Sequence, residues 1–419
     1  MYKYTSIQII KPIFIACLII ILLFNINQYT DTFAEIESYD ENIIIEEIVD
    51  GFDLPTSMLF IDENNIIVLE KDTGFVKLVK NGQLENDPIY QVKVNNISER
   101  GLLGITKLIH HDETSIYLYY TEDQINNVKN VIYKFKWDGR TLVDKNKVIE
   151  LPAGDPGLQH NGGKIKIGPD NYLYAVIGDL YHIGNLQNYK NGNVPDDTSV
   201  ILRIDPITGS PAYDNPFIDK NHEDISLDKY FAYGIRSSFG IGFDHISKKL
   251  WMTENGPTHF DEINLVESGF NSGWMEIIGP ASKQDKQELE DILVNFKGSK
   301  YSDPEYSWKD PIGVTDIEFL NSDKFGEKYN HGMFVGDINN GNIYFFELNA
   351  DRNAIKINTE NTKDLVADND EEASSNILIS GFNGITDLET GPDGNLYVLS
   401  FGDGKIFKIS YMKENKLII

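Results

Sequence analysis

The hydrophobic and polar positions of this chain repeat one short unit. It consists of an apolar run, a polar turn and a second run rich in aromatic or β-branched residues. Both runs alternate with a period of two, which is typical of a β-hairpin. From Glu41 onward we find no long run with the 3.6-residue period of an amphipathic helix. Six copies of the unit begin at Ser57, Gly104, Lys164, Gly240, Asp316 and Asp387.

The spacing of the copies predicts the fold. The intervals are 47, 60, 76, 76 and 71 residues when six positions are treated as equivalent: Met58, Ile105, Ile165, Ile241, Ile317 and Leu388. Several copies are followed by a third strand-like run. We therefore predict an all-β fold, a six-bladed β-propeller over residues 41–412, with inserted loops after the third to fifth units. The run Ile43–Val49 is predicted to complete the last blade. A two-domain sandwich or barrel is the alternative, but it does not explain six copies.

The charge balance narrows the range of partners. The 419 residues include 37 Lys and Arg against 65 Asp and Glu, a net charge of −28. Binding to nucleic acid or to an anionic membrane requires a basic face, so we expect neither.

The N-terminus predicts export. Lys3 and Lys11 precede an apolar run over residues 12–26, and Thr32-Phe33-Ala34 follows. This order is typical of a secretory signal within residues 1–34. The run is shorter than the roughly 20 residues of a spanning helix, and an uncleaved anchor is the alternative. We expect an extracytoplasmic protein that is secreted or anchored by residues 12–26, with no other membrane contact. The only cysteine, Cys17, lies in this run, so the exported part has no disulfide.

The third copy carries two ionisable groups at corresponding ends of its hairpin. His160 precedes the first run, and Asp179 follows the second, across the turn Gly168-Pro169-Asp170-Asn171. Antiparallel strands bring these ends together, so we predict that His160 and Asp179 are neighbours. A histidine oriented by a carboxylate can serve as a general base. A surface histidine beside an unrelated turn aspartate is the alternative.

Arg236 precedes the fourth copy as His160 precedes the third. Equivalent positions of successive propeller blades face the same end of the central channel, so both side chains are predicted to face one pocket. A base, a carboxylate and a cation together suit proton removal with stabilisation of developing charge. A structural role at the channel end is the alternative.

The segment from Thr253 to Met275 combines acidic residues with a turn. Glu254, Asp261 and Glu262 surround Asn255-Gly256-Pro257. Calcium prefers carboxylate and backbone oxygens, so this segment is a candidate calcium site, although it matches no EF-hand loop. The acidic run 368–372 is interpreted as a solvated loop.

Together these segments resemble the pyrroloquinoline-quinone (PQQ) dependent aldose sugar dehydrogenases, the glucose/sorbosone dehydrogenase family. The resemblance covers roughly residues 50–410 in the family's order. It rests on ERGLLGI (from Glu99), HNGGKIKIGPDNYLYAVIGD (His160), ILRIDPITG (Ile201), DNPF (Asp214), YGIRSSFGIGFD (Tyr233), LWMTENGP (Leu250), DEINLVESGFNSGW (Asp261) and GPDGNLYVL (Gly391). The family fold is a six-bladed propeller.

The resemblance implies roles for individual residues. His160 matches the base that takes the proton of the sugar C1 hydroxyl while hydride passes to PQQ, giving the lactone. Asp179 matches the carboxylate that orients this base, and Arg236 the arginine at the quinone carbonyls. The implied calcium residues are Gly256, Pro257, Glu262 and Ser272, and the acidic segment described above adds Asp261 to the predicted calcium ligands. The implied PQQ-contacting positions are Glu99, Gln159, His160, Arg236, Ser237, Asn339 and Thr386. A sugar substrate and an external electron acceptor, which the sequence does not identify, complete the expectation.

Several of these positions depart from the family pattern. Glu99 stands where the family has Gln, Ser237 where it has Asn, and Ser272 where it usually has Tyr. The cations that bind the PQQ carboxylates are replaced by Asn339, Gly384 and Thr386. Each charge-assisted hydrogen bond contributes about 1.5–3 kcal/mol, so we predict PQQ binding in the micromolar range or weaker. Arg100 is one candidate replacement cation.

Two other functions follow from the same departures. The first is a non-catalytic propeller that binds a carbohydrate or a protein ligand in the pocket. The second is a lactone or ester hydrolase, by analogy with the fold alone. The retained His160, Asp179 and Arg236 favour an enzyme, whereas the lost cations favour binding or a different cofactor.

Overall fold

The computed structural model describes residues 35–124, 127–154, 158–181, 188, 195–218, 225–281, 288, 291–356 and 363–412. The predicted leader at residues 1–34 lies outside them. Within the described residues no helix is long and apolar enough to cross a bilayer. The compact unit described below spans Ile36–Ile419.

The described strands form six sheets, whose pairing within each core hairpin is antiparallel. The first contains β3 (Pro55–Phe60), β4 (Asn65–Glu70), β5 (Phe75–Lys80), β6 (Gln83–Leu84) and β7 (Tyr90–Gln91). The second contains β8 (Leu102–His110), β9 (Glu113–Gln124), β10 (Asn127–Trp137) and β11 (Leu142–Pro152). The third contains β12 (Ile165–Ile167), β13 (Leu173–Ile177), β14 (Val200–Ile204), β15 (Tyr230–Tyr233), β19 (Phe270–Asn271) and β20 (Lys300–Tyr301).

The other three sheets repeat this arrangement. The fourth contains β16 (Gly240–Phe243), β17 (Leu250–Glu254), β18 (Asp261–Val266), β21 (Tyr306–Trp308) and β25 (Val366–Ala367). The fifth contains β22 (Val314–Phe319), β23 (Met333–Asp337), β24 (Ile343–Phe346), β26 (Ile377–Ser380) and β1 (Glu37–Ser38). The sixth contains β27 (Ile385–Thr390), β28 (Leu396–Ser400), β29 (Lys405–Tyr411) and β2 (Ile43–Val49).

The first strand of each sheet lies at the centre of the molecule. β3 contacts β8, β8 contacts β12, β12 contacts β16, β16 contacts β22, β22 contacts β27, and β27 returns to β3. The six positions that the repeat treated as equivalent all lie on these inner strands, and all are buried. The predicted all-β propeller is therefore confirmed. The early strand β2 pairs antiparallel with β29, as predicted from the sequence.

The structure adds strands that the repeat did not show. β1 precedes the predicted boundary at residue 41 and pairs with β26. The short strands β19, β20 and β25 come from inserted segments and extend the third and fourth sheets by parallel pairing. Each has two residues, too few for an alternating pattern to appear.

The helices among the described residues are short. Two of them lie wholly within the described residues, α1 (Ile225–Asp228) and α2 (Asp370–Ser374). α2 lies in the acidic run interpreted as a loop. It begins after Asn369, whose side chain accepts a hydrogen bond from Glu372 N at 3.1 Å as an N-cap. Its three first-turn acidic residues suit the positive end of a helix dipole.

The hairpin that carries His160 has the predicted register. Ile165 pairs with Ala175, and Ile167 with Leu173. The turn closes with Asn171 N donating to Gly168 O at 2.9 Å, and Asn171 adopts a φ of 65°. Asparagine tolerates this left-handed region better than most residues. The hairpin therefore brings its open ends, with His160 and Asp179, to one end of the channel.

Candidate active site

His160 and Asp179 form a buried pair, as the hairpin predicted. The His160 Nδ1 atom lies 2.5 Å from Asp179 Oδ1. The residues are 6% and 2% exposed. An Nδ1–H that donates to the carboxylate leaves the Nε2 lone pair as acceptor. Nε2 makes no hydrogen bond with any described residue, so it is available to a ligand.

Two further donors fix the Asp179 carboxylate. Trp274 Nε1 donates to Oδ2 at 2.9 Å, and Tyr181 N donates to Oδ1 at 2.8 Å. The Tyr181 ring is half exposed, and its centroid lies 5.6 Å from that of the His160 ring. Neither residue was predicted from the sequence. The Gly-Trp pair that follows Ser272 was the available signal for Trp274, but nothing in the sequence connects it to Asp179.

Arg236 lies beside this pair. Its backbone carbonyl accepts from Asp179 N at 2.9 Å, its N–H donates to Glu254 Oε1 at 2.6 Å, and its Nη1 donates to Asn255 O at 2.8 Å. The guanidinium carbon lies 5.4 Å from the Trp274 ring centroid, a cation–π distance. Burial lowers the pKa of Arg236, but an arginine keeps its charge at any physiological pH. The structure thus brings the predicted base, carboxylate and cation together.

Glu99 contacts His160 through the backbone. His160 N donates to Glu99 Oε2 at 2.5 Å. Burial raises the pKa of the Glu99 carboxyl. Of the other predicted cofactor positions here, Ser237 is buried, and its carbonyl accepts from Asn255 N at 2.7 Å. Gln159 is exposed and makes no hydrogen bond with a described residue.

The predicted calcium residues divide into two groups. Gly256, Pro257, Glu262 and Ser272 line one cleft together with Glu254. We call this the calcium cleft. Asp261 does not line it: its carboxylate accepts the backbone N–H groups of Gly256, Ile312, Gly313 and Val314 at 2.6–3.3 Å. Because these four donors occupy Asp261, we remove it from the candidate ligands.

The two glutamates of the calcium cleft, Glu254 and Glu262, are buried close together, and both have raised pKa values. Burial raises the pKa of Glu254 to about 7. Burial, and then the nearby Glu254 charge, raise the pKa of Glu262 to about 8. The Gly256 and Pro257 carbonyls accept no hydrogen bond from the described residues. Within the described ranges no three His, Cys, Asp or Glu side chains form a metal cluster. Two carbonyls with buried carboxylates are nevertheless the oxygen donors that calcium prefers, so the residues fit calcium.

A second cleft opens at the same end of the channel, and we call it the channel-mouth cleft. The space open to a ligand in it is about 250 Å³. The first residues of every inner strand, or the residues just before them, line it. Its lining is Thr56, Ser57, Lys71, Glu99, Leu103, Gly162, Lys164, Phe239, Thr315, Ile338, Thr386 and Phe401.

The lysines that line the channel-mouth cleft are already paired. Lys71 Nζ lies 2.6 Å from Asp72 Oδ1. Lys164 Nζ lies 2.8 Å from Asp316 Oδ2 and also contacts Asp387. These carboxylates neutralise the cations before any ligand binds.

The three positions that should bind the PQQ carboxylates provide no charge. The Thr386 hydroxyl donates to Pro55 O at 2.8 Å. Gly384 has a φ of 77°, and a Cβ atom there would lie 2.9 Å from Ile338 O, so a side chain is strained at this position. Asn339 is exposed and lies against Gly313.

Arg100 does not replace the missing cations. Its Nη2 donates to the carbonyls of Ala153 and Gly154, the latter at 3.0 Å, and the residue is 5% exposed. A guanidinium committed to two carbonyls at a buried position does not reach the channel-mouth cleft, whose lining excludes it. Among the described residues, the site therefore does not fit a tricarboxylate such as PQQ.

One end of the propeller channel thus carries a His–Asp pair, an adjacent arginine and a cleft whose oxygen donors fit calcium. This combination is the one expected from the resemblance to the sugar dehydrogenases. The model of the glucose/sorbosone dehydrogenase family matches residues 52–408. The chain belongs to this family.

Individual relatives agree. The chain is 25% identical over 387 residues to the aldose sugar dehydrogenase YliI of Escherichia coli, covering 87% of this chain and 92% of that protein. A glucose dehydrogenase-like oxidoreductase of Thermus thermophilus matches with a TM-score of 0.68 and 24% identity, covering 88% and 99% of the two chains. The PQQ-bound aldose sugar dehydrogenase of Streptomyces coelicolor matches with a TM-score of 0.65 and 19% identity, covering 90% and 98%. At these identities the two structures support the fold.

Proposed function

We propose that this protein is a sugar dehydrogenase that oxidises the C1 hydroxyl of an aldose to the lactone. The observation that carries the proposal is the buried His160–Asp179 pair, with Nε2 available, in a chain of the glucose/sorbosone dehydrogenase family. We also infer that each of the six sheets is one propeller blade. All the residues assigned below lie at one end of the ring.

His160 acts as the base in this proposal. Nε2 accepts the proton of the C1 hydroxyl, and Asp179 stabilises the imidazolium that forms. Trp274 and Tyr181 hold the Asp179 carboxylate, so the imidazole keeps the tautomer with its proton on Nδ1. Arg236 supplies fixed positive charge beside the base and stabilises negative charge that develops on an oxygen.

Calcium fits the calcium cleft, where the Gly256 and Pro257 carbonyls, Glu262 and the Ser272 hydroxyl would hold it. Bound there, it would supply Lewis-acid polarisation of a ligand oxygen near Arg236. The chain's own contribution is a rigid donor set. Glu262 is fixed by Gly279 N at 2.9 Å and Asn264 Nδ2 at 3.0 Å, and the Ser272 hydroxyl is fixed by Glu254 at 2.5 Å.

The test is aldose oxidation by the full chain in the presence of calcium. A panel of aldoses is offered with an artificial redox dye, and the product is examined by NMR. We expect dye reduction that depends on an aldose and produces its lactone. Binding of sugar without oxidation by any acceptor would support the non-catalytic alternative instead.

We further propose that residues 1–34 direct export and that residues 41–412 form the catalytic domain. The support is the basic start followed by the apolar run at 12–26. Fractionation of cells that produce the full chain, with N-terminal sequencing of the recovered protein, tests export and distinguishes a cleaved signal from an anchor. Recovery in the cytosolic fraction would contradict it.

A further inference from the structure

We propose that the channel-mouth cleft binds an uncharged, flat quinone as the hydride acceptor, and not the tricarboxylate PQQ. This inference rests on the proposed function, because it assigns the oxidant for the same reaction. Three features of the cleft carry it: its apolar walls, its neutralised lysines and the direction of its hydroxyl hydrogen bonds.

The walls of the cleft are largely apolar. Leu103, Phe239, Ile338 and Phe401 contribute side chains from four different sheets or their connecting loops. The part of the cleft open to a ligand has a volume of about 250 Å³, near the lower end of the roughly 300–1,000 Å³ that is usual for small-molecule sites, which suits a single-ring ligand. Two phenyl rings among aliphatic side chains suit the faces of a flat ring system.

The charges of the cleft do not suit an anion. Lys164 would have to leave Asp316 and Asp387 to bind a ligand carboxylate. That exchange would leave two buried aspartates without their partner, and a buried charge without a partner is strongly unfavourable. The Lys71 charge is already neutralised by Asp72. Glu99 also lines the cleft, and when ionised it repels a carboxylate.

The hydroxyl groups of the cleft offer lone pairs and no protons. Thr56 donates to Leu102 O at 2.7 Å, Ser57 to Leu103 O at 3.0 Å, and Thr315 to Ile385 O at 2.7 Å. Thr386 donates to Pro55 O at 2.8 Å. A hydroxyl has one proton to donate, so all four present only acceptor capacity to a ligand. Acceptors repel a carboxylate, whereas they can accept hydrogen bonds from the two hydroxyls of a quinol.

One donor for a quinone carbonyl remains. The Lys71 ammonium has three N–H groups. Its contacts with Asp72 at 2.6 Å and Asn96 O at 3.4 Å use two of them. Glu99 links the cleft to the base, because it lines the cleft and accepts from His160 N. A quinone in the cleft would therefore lie beside the sugar that His160 deprotonates.

The proposed step balances. The C1–H bond breaks, and its hydride passes to the quinone, while the C1 hydroxyl proton passes to His160 Nε2. The sugar is oxidised by two electrons to the lactone. The quinone gains the hydride and one proton, which His160 returns through solvent, and becomes the quinol.

The test compares two ligands on the full chain with calcium. PQQ and 2,3-dimethoxy-5-methyl-1,4-benzoquinone are titrated separately, and binding is followed by quenching of tryptophan fluorescence. The double variant Asn339→Lys with Thr386→Arg adds one cation in the lining of the cleft and one beside Ile338, which also lines it. Asn340→Lys with Asn321→Lys, at exposed positions, is the matched control for net charge. Gly384 is left unchanged because of its positive φ.

We expect the unmodified protein to bind the benzoquinone at least tenfold more tightly than PQQ. We expect the double variant to bind PQQ at least a hundredfold more tightly than the unmodified protein, since each charge-assisted hydrogen bond corresponds to about tenfold or more. The control variant should leave both affinities within about threefold. Tighter binding of PQQ than of the benzoquinone by the unmodified protein, or no detectable benzoquinone binding, would overturn the inference.

Binding and turnover separate this inference from the proposed function. If the benzoquinone binds but no aldose is oxidised with any acceptor, the proposed function fails. If aldoses are oxidised with PQQ and never with the benzoquinone, the function stands and the quinone assignment is wrong.

Discussion

The cluster around His160 and the channel-mouth cleft lie at the same end of the inner strands, but their polar groups are used differently. Around His160 the donors and acceptors are aligned in a chain: Trp274 donates to Asp179, which pairs with an imidazole whose second nitrogen is available. In the channel-mouth cleft the lysines are neutralised and the hydroxyl protons are bound to backbone carbonyls. The cluster around His160 has the groups needed for proton transfer, whereas the channel-mouth cleft has few groups that could bind an anion.

This difference shows that two functions of one pocket can diverge separately. The base and its support come from the third sheet and the segment that follows Ser272, whereas the lost cations were expected in loops of the fifth and sixth sheets. Substitutions in those loops leave the His160–Asp179 hydrogen bond untouched. Family membership therefore supports the proton chemistry more strongly than it supports the identity of the cofactor.

Loss of the base should have the largest effect. We expect His160→Ala to reduce kcat by about 10²–10⁴-fold without unfolding the protein, because a positioned general base contributes this much. The measurement is aldose-dependent dye reduction, with circular dichroism to check the fold. His110→Ala, at the far end of β8, is the control and should retain full activity. Undiminished turnover in a folded His160→Ala protein would show that the base lies elsewhere.

Loss of the indole donor should have a smaller effect on the same chain of hydrogen bonds. We expect Trp274→Phe to lower kcat about tenfold, since a hydrogen bond to a charged group contributes about 1.5–3 kcal/mol. The measurement is kcat for aldose-dependent dye reduction, with circular dichroism to check the fold.

Trp308→Phe is the matched control for that variant. The Trp308 indole N–H is also buried, but it has no hydrogen-bond partner among the described residues. An identical loss of activity in both variants would mean that Trp274 only fills space.

Removal of calcium should lower stability by a moderate amount. Calcium that binds only the folded protein adds about 2.7 kcal/mol to the free energy of unfolding at 100 times its Kd. We expect a chelator to lower the melting temperature by several degrees, and Glu262→Gln to reduce this calcium response. An unchanged melting temperature in the chelator would mean that the cleft is an acidic surface without a metal.

The smallest expected effect concerns Glu99, which touches both regions. Burial raises its pKa, so the folded protein keeps a proton that the unfolded chain has already lost. The free energy of unfolding therefore falls as pH rises from the ordinary glutamate value through the raised one. Glu254 and Glu262 keep their own contributions to this dependence. Glu99→Gln should nevertheless make the melting temperature fall less steeply with rising pH than in the unmodified protein. Glu63→Gln, at an exposed turn, should not.

Periodicity predicted most of the fold and the central pair of the site. The inner hairpins are apolar runs joined by short polar turns, and most of their positions are buried, so the runs and the turns together predicted the strands and their pairing. This pairing predicted that His160 and Asp179, which are 19 residues apart in the chain, would be neighbours. The strands β19, β20 and β25 have two residues each, too few to show an apolar run. They pair with strands that are distant in sequence, so the sequence did not predict them.

Contacts between distant segments could not be predicted. Trp274 is 95 residues from Asp179 in the chain, and most of the fourth sheet lies between them in sequence. Asp261 has the sequence context of a calcium ligand, but the backbone N–H groups of residues 312–314 bind its carboxylate. The sequence shows which carboxylates are close along the chain, and it does not show which backbone donors meet them.

The central claim is that proton-transfer groups remain where the cations for PQQ are absent. The most direct test is the Kd of PQQ for the unmodified full chain in saturating calcium, measured by isothermal titration calorimetry. We predict a Kd in the micromolar range or weaker, because no unpaired cation among the described residues lines the channel-mouth cleft. A nanomolar Kd would contradict the account.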